Sequence, residues 1–178
     1  MKKIECAIKG ISGLLMHQFP MDPIKNPPIE KRSAKEQAEL AAYRDPETND
    51  LYIPAIAVQR SLINAAVYSK GKGRASLQKQ AAASLFIYPE RISLNVQEYN
   101  IDARPVVVPA TRGRIIRYRP RLDEWQVALE IEFDESLLTE DQLRQIVDDA
   151  GSRVGLLDFR PEKKGPFGRF MVTEWKQI

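Results

Sequence analysis

The residues of this 178-residue chain best suited to chemistry stand in two basic clusters. The first closes the sequence. V-G-L-L-D-F-R-P-E-K-K-G-P-F-G-R-F, Val154 to Phe170, places Arg160, Lys163, Lys164 and Arg169 around Gly165 and Gly168. Glycine lets backbone N–H groups approach a phosphate closely, and the cations supply the balancing charge. A G-x-x-G pair serves equally well to turn a chain into its next strand, so both readings stand at this level. The second cluster runs from Arg104 to Arg121, with six arginines (104, 112, 114, 117, 119 and 121) and no acid. Arginine presents a planar fork that matches phosphate and stacks on bases, which lysine does not. Arg112, Arg114 and Arg117 are the expected ligand-facing members. The competing reading sets Arg117 and Arg119 across a hairpin from Glu130 and Glu132 as cross-strand ion pairs.

One single residue invites a catalytic reading. His17, the only histidine, stands in L-L-M-H-Q-F and has the chemistry of a general base. Nothing near it in sequence completes a site, and Met16 and Phe19 suit a half-buried loop. Asp22 precedes Pro23, a pairing typical of turns. No Ser-His-Asp set, G-x-x-x-x-G-K-[ST] loop or metal-ligand spacing is present, so neither a cofactor nor a metal is expected.

Net charge is only +3, from 27 Lys and Arg against 24 Asp and Glu. Taking the six clustered arginines away leaves 21 cations against 24 acids, so the basic character is local. The chain is 43% hydrophobic and 29% charged, as in ordinary soluble domains. One cysteine, Cys6, excludes an internal disulfide and suits a reducing compartment. Neither a signal-like apolar run at the N-terminus nor a membrane-length stretch occurs, so a cytoplasmic protein of one domain over residues 1–178 is expected.

Periodicity gives the elements that must position these groups. Lys2 to Ile11 alternates as a strand, with Ile4, Cys6 and Ile8 on one face. Residues 13–50, rich in proline, predict an exposed mobile insert with a weak helix from Ser33 to about Arg44. A firmer helix starts at Ile53-Pro54 and ends near Ser69, and a short alanine-rich one spans Ala75 to Leu85. Ile92–Val96 and Arg104–Pro109 read as extended. Arg114–Arg119 and Trp125–Phe133 read as a hairpin around R-L-D-E. Leu138-Thr139-Glu140-Asp141-Gln142-Leu143 carries a capping box and a hydrophobic staple, with Gly151 as the helix stop. The last strand runs from about Phe167 to Trp175. Strand, helix, strand, strand, helix, strand is an α+β, ferredoxin-like (RRM-like) order, an antiparallel sheet with both helices on one face. Its free face is the surface RNA-recognition folds use.

With that order, the closing loop and the segment L-Y-I-P-A-I-A-V-Q-R-S-L-I-N-A-A, Leu51 to Ala66, resemble the RAMP superfamily, particularly CRISPR backbone subunits. The resemblance spans about 120 residues, of which about 35 carry a motif. It implies an RRM-like domain that binds single-stranded nucleic acid, often as a row of identical subunits, and it extends to small phage or mobile-element relatives. Some members cut RNA with a histidine or a loop aspartate, which is what brings His17 and Asp22 into view.

The expected function is non-enzymatic binding of single-stranded RNA or DNA through a basic sheet surface and the glycine and cation loop. The contacts would come from Arg112, Arg114, Arg117, Arg160, Lys163, Lys164 and Arg169. Two alternatives remain at this level: a structural or assembly protein of a phage or mobile element whose basic surface docks an acidic protein partner, and an RNA endonuclease relying on His17.

Overall fold

A computed structural model describes residues 1–20, 27–71 and 73–178. Its centre is a four-stranded antiparallel sheet built on the alternating apolar residues. Strand β1 (Lys2–Gly10) lies in the middle. After it come the two-residue β2 (Leu14–Leu15), helix α1 (Ala34–Ala41), strand β3 (Tyr52–Pro54) and helix α2 (Ala55–Ala65). Helix α3 (Gln78–Ser84) leads into strand β4 (Phe86–Tyr88), followed by β5 (Arg91–Ser93), β6 (Asn100–Val107) and β7 (Arg114–Leu122). Strand β8 (Gln126–Phe133), helix α4 (Glu140–Asp149) and strand β9 (Phe170–Gln177) complete the chain.

The main sheet has the order β4-β8-β1-β9, and every neighbouring pair is antiparallel. That is the ferredoxin-like arrangement. Ile4, Cys6 and Ile8 of β1 sit opposite Ile131, Leu129 and Val127 of β8 on the buried face. Val58, Leu62 and Ala65 of α2 and Leu143, Ile146 and Val147 of α4 join them in one core. Each buried Val, Leu and Ile among them contributes about 1.5–3 kcal/mol by leaving water. Cys6 is part of this layer, and its burial pushes the thiol up to about 12.

Helix ends follow the expected chemistry. Thr139 Oγ1 accepts from Gln142 N–H at 3.2 Å while Gln142 Oε1 accepts from Thr139 N–H at 2.9 Å, a complete capping box. Ser33 caps α1 by one half of that arrangement, its Oγ accepting from Glu36 N–H at 3.2 Å. Gly151 is not the stop of α4. The chain continues through a wider turn, Ala150–Val154, and ends at Gly155, whose φ of 78° breaks the helix.

The second sheet corrects the expected hairpin. β7 does not pair with β8 around R-L-D-E. It pairs with β6 on one side and with β2 on the other, in the order β2-β7-β6. The second strand of the ferredoxin order is instead Phe86–Tyr88, at the edge beside β8. The physical reason lies in the arginines. Arg119 at the centre of β7 is buried and meets its counter-charge at Asp158 of the closing loop, while Phe86–Tyr88 takes the edge beside β8 and buries Ile87 opposite Ile131. Trp125 marks the crossing between sheets, with its Nε1–H donating to Ser12 O at 2.8 Å.

The stretch read as an exposed insert is also built into the fold over its described residues. Leu14, Leu15 and Met16 are fully buried, and α1 buries Gln37, Ala38 and Ala41. Among the described residues no helix is long and apolar enough to cross a membrane.

Candidate nucleic-acid interface

The expected surface, the open face of the main sheet, does not have the expected charge. Lys3, Glu5, Ala7 and Lys9 of β1 stand beside Glu132, Glu130, Ala128 and Gln126 of β8, and Glu174 and Lys176 of β9 flank them. Four glutamates against three lysines give no basic surface. Lys3 Nζ is already 3.7 Å from Glu130 and 3.8 Å from Glu132. Those two glutamates therefore belong to this face, and the expected pairs with Arg117 and Arg119 do not form.

The arginines lie on the β6–β7 hairpin, and its register sorts them. Asp102, Arg104 and Val106 stand across from Arg119, Arg117 and Ile115 on one face. This face turns toward the closing loop. Arg119, which is buried, donates through Nη1 to Asp158 Oδ2 of that loop. Arg104 lies over the Phe167 and Phe159 rings, at 4.8 and 5.6 Å from their centroids. Its Nε donates to Asp102 at 2.8 Å, and Arg121 is 3.3 Å from the other oxygen of the same carboxylate. Asp102 is only 4% exposed. Arg104, Arg119 and Arg121 are thus internal fasteners rather than ligand-facing groups, and the partners of Arg104 and Arg121 escaped sequence reasoning. Asp102, two residues before Arg104, was the available signal.

Arg112 and Arg114 stand apart from these. Both are exposed, at or next to the 108–113 tip of the hairpin, where Val108 O accepts from Arg112 N–H at 2.8 Å. Arg117 is half-buried and faces the like charge of Arg104. Among the described residues none of these three has a carboxylate oxygen within 4.0 Å. The basic hairpin tip was legible in the sequence; its separation from the main sheet was not.

The closing loop divides in the same way. Arg160 is occupied: Nε and Nη2 hold Glu162 Oε2 at 3.0 and 2.8 Å, and Nη1 donates to Leu157 O at 2.8 Å. Lys163, Lys164 and Arg169 are exposed and, among the described residues, free of acid partners. The glycines serve the chain itself. A methyl group at Gly165 would overlap the Phe159 carbonyl oxygen, and one at Gly168, where φ is 76°, would overlap that of Leu156. Their N–H groups are committed to Arg160 O at 3.0 Å and Gly13 O at 2.7 Å. Phosphate capture by glycine N–H groups is therefore replaced by a loop folded tightly on itself that displays its cations outward.

His17 acquires a setting the sequence did not show. Its Nδ1 lies 3.6 Å from Asp158 Oδ2, so one carboxylate serves both Arg119 and the imidazole. Burial would raise the Asp158 carboxyl, but His17 and the Arg119 guanidinium hold it below its ordinary value. Beside this pair a cavity of about 230 Å³ opens between α2 and the closing loop, lined by Tyr43, Arg60, Ser61 and Arg160 among others. Asp22 lies outside the described residues. Among those that are described, no cluster of three or more histidine, cysteine or acidic side chains could hold a metal.

No protein-family model matches the chain, and no curated protein matches it by sequence. Among solved structures it is similar to a chain in the cryo-EM structure of the Type III-B Cmr-beta bound to cognate target RNA, with a TM-score of 0.55 and 13% sequence identity. The match covers 99% of this chain and 60% of that one, so this chain spans about 60% of its neighbour's length. At that identity the likeness is one of fold.

Proposed function

We propose that this chain binds single-stranded RNA by its backbone and leaves it uncut. The observation that carries this reading is the segregation of charge. Carboxylates pair with Arg104, Arg119, Arg121 and Arg160, while among the described residues Arg112, Arg114, Arg117, Lys163, Lys164 and Arg169 stay without acid partners on the hairpin and the loop it contacts. Unpaired cations on adjoining elements suit a flexible polyanion, because phosphate contacts need charge and reach rather than a rigid groove. The RNA-bound state of the structural neighbour supports RNA over DNA. The path of the strand would follow the second sheet and the closing loop, away from the four glutamates of the main sheet.

A salt titration tests the proposal. Binding of a fluorescent single-stranded RNA followed by anisotropy should give log K falling with log salt at a slope near −4, about −0.7 for each of some six contacts. A flat response, or no binding at low salt, overturns it. The RNA should be recovered intact with or without divalent cation. Cleavage that disappears in His17→Ala would replace this reading with a nuclease.

A second reading is favoured by one feature. The acidic sheet face also exposes Phe86 and Tyr88, at 44% and 45%, along its β4 edge. Aromatic side chains among glutamates suit a protein partner better than a nucleic-acid strand.

A further inference from the structure

An acid inside a phosphate-binding surface works against phosphate contact, but beyond offsetting a buried cation it can read the donors of a base. Asp158 is such an acid: it lines the cavity between α2 and the closing loop, among Arg60, Arg160 and His17. Its Oδ2 is shared by Arg119 and His17, while its Oδ1 has no hydrogen-bond partner among the described residues. Arg60 is exposed at the same cavity and, among the described residues, pairs with no carboxylate. Tyr43 contributes an aromatic wall and Ser61 a hydroxyl, which already donates to Gly155 O at 2.8 Å. The cavity, at about 230 Å³, is smaller than the roughly 300–1,000 Å³ of pockets for drug-sized molecules. It has room for one base.

We infer that this cavity receives a single unstacked guanine of the bound strand, read by Asp158 and by an arginine at the rim. The inference rests on the strand-binding proposal and adds specificity to it. Guanine alone places two donors, N1–H and the N2 amine, side by side on its pairing edge, where the two lone pairs of one free carboxylate oxygen, here Asp158 Oδ1, can accept both. Its other edge presents O6 and N7, the pair of acceptors that an arginine fork matches. Adenine and cytosine each offer one amine donor next to a ring acceptor, and uracil offers one donor between two acceptors. A cavity with both a free carboxylate oxygen and an unpaired guanidinium therefore complements guanine over the other three. Unstacked bases held on aromatic side chains and read on their edges are the usual means of sequence recognition in single-stranded RNA. The depressed pKa of Asp158 keeps the carboxylate ionised at neutral pH, as this role requires.

The test compares uridine 15-mers carrying one central G, A, C or inosine. The G strand should bind about tenfold more tightly than the A and C strands, the size expected of one good bidentate pair. Inosine keeps N1–H and lacks the N2 amine, so it should fall between them. Asp158→Asn should level the four strands. Because that change also strips Arg119 of its partner, the inosine series on the unaltered protein stands as the independent measurement. Equal affinity for all four strands overturns the guanine pocket and leaves strand binding in place. If no strand binds, the strand-binding proposal fails, and titration with guanosine and adenosine 5′-monophosphates decides the pocket alone. Preference for the guanosine nucleotide upholds it, and equal or absent binding of the two overturns it.

Discussion

Asp102 faces Arg119 directly across the β6–β7 ladder, yet each is engaged elsewhere: Asp102 holds Arg104 and Arg121, and Arg119 reaches Asp158. The exchange ties the hairpin to itself through one carboxylate and to the closing loop through another. Asp102→Ala should therefore cost about 2 kcal/mol of stability in urea unfolding, because Arg104 loses its buried counter-charge while Arg121 keeps only Asp123, at 2.9 Å. The estimate sits below the usual range for a broken buried pair because Arg104 and Arg121 are each about one third exposed (37% and 33%). A loss under about 0.5 kcal/mol would show that solvent takes over both arginines.

The unpaired cations should behave in the opposite way. Lys163→Ala with Lys164→Ala, and Arg112→Ala with Arg114→Ala, should each weaken RNA binding by about 1–2 kcal/mol and leave the melting temperature almost unchanged. All four together should approach the sum, since the two pairs sit on different elements with no shared partner. If the lysine pair has no effect while the arginine pair abolishes binding, the loop only supports the hairpin.

Gly165→Ala and Gly168→Ala should each destabilise the fold by more than about 2 kcal/mol, through overlap with a neighbouring carbonyl and, at Gly168, a positive φ as well. The measurement is thermal unfolding alongside affinity. RNA affinity corrected for the folded fraction should stay close to that of the unaltered protein. A large affinity loss in a fully folded Gly165→Ala protein would restore a direct phosphate role for the loop backbone.

Acid should loosen the loop through Asp158. Its carboxyl titrates lower in the folded protein than its ordinary value, because His17 and Arg119 outweigh burial. A depressed folded value means the contribution is present above about pH 4 and fades as pH falls through the folded value. Glu39, held down chiefly by Arg44 Nε–H, changes in the same sense. Stability measured from pH 7 down to 2 should therefore drop at the acid end, and Asp158→Asn should flatten part of that drop.

The main sheet was legible because its signal is local and strong. Ile4, Cys6 and Ile8 and the run from Val127 to Phe133 alternate cleanly, and Thr139 with Gln142 announces its helix. Phe86–Tyr88 was not legible: three residues with one buried side chain, Ile87, directly after an alanine-rich helix carry no period of their own. The arginines misled in an instructive way. Six cations without an acid between them look like one surface, but Asp102 and Asp158 reach three of them from outside the β7 strand. Adjacency in sequence set the expectation of a β7–β8 hairpin, and the pairing of buried Arg119 with a distant carboxylate, with Ile87 filling the β8 edge, overruled it. His17 and Asp158 are 141 positions apart, and only the fold brings them together.

Cys6 sits at the middle of β1, with Leu129 on one side and Trp175 on the other. A thiol that titrates near 12 and is 2% exposed has almost no thiolate at neutral pH and no path for a reagent. It reacts only in molecules whose central strand has come away from a neighbour. The rate at which a maleimide labels the otherwise cysteine-free chain is thus a clock for sheet opening. Comparing that rate with and without RNA would show whether ligand on the hairpin side is felt in the strand where both halves of the sheet meet.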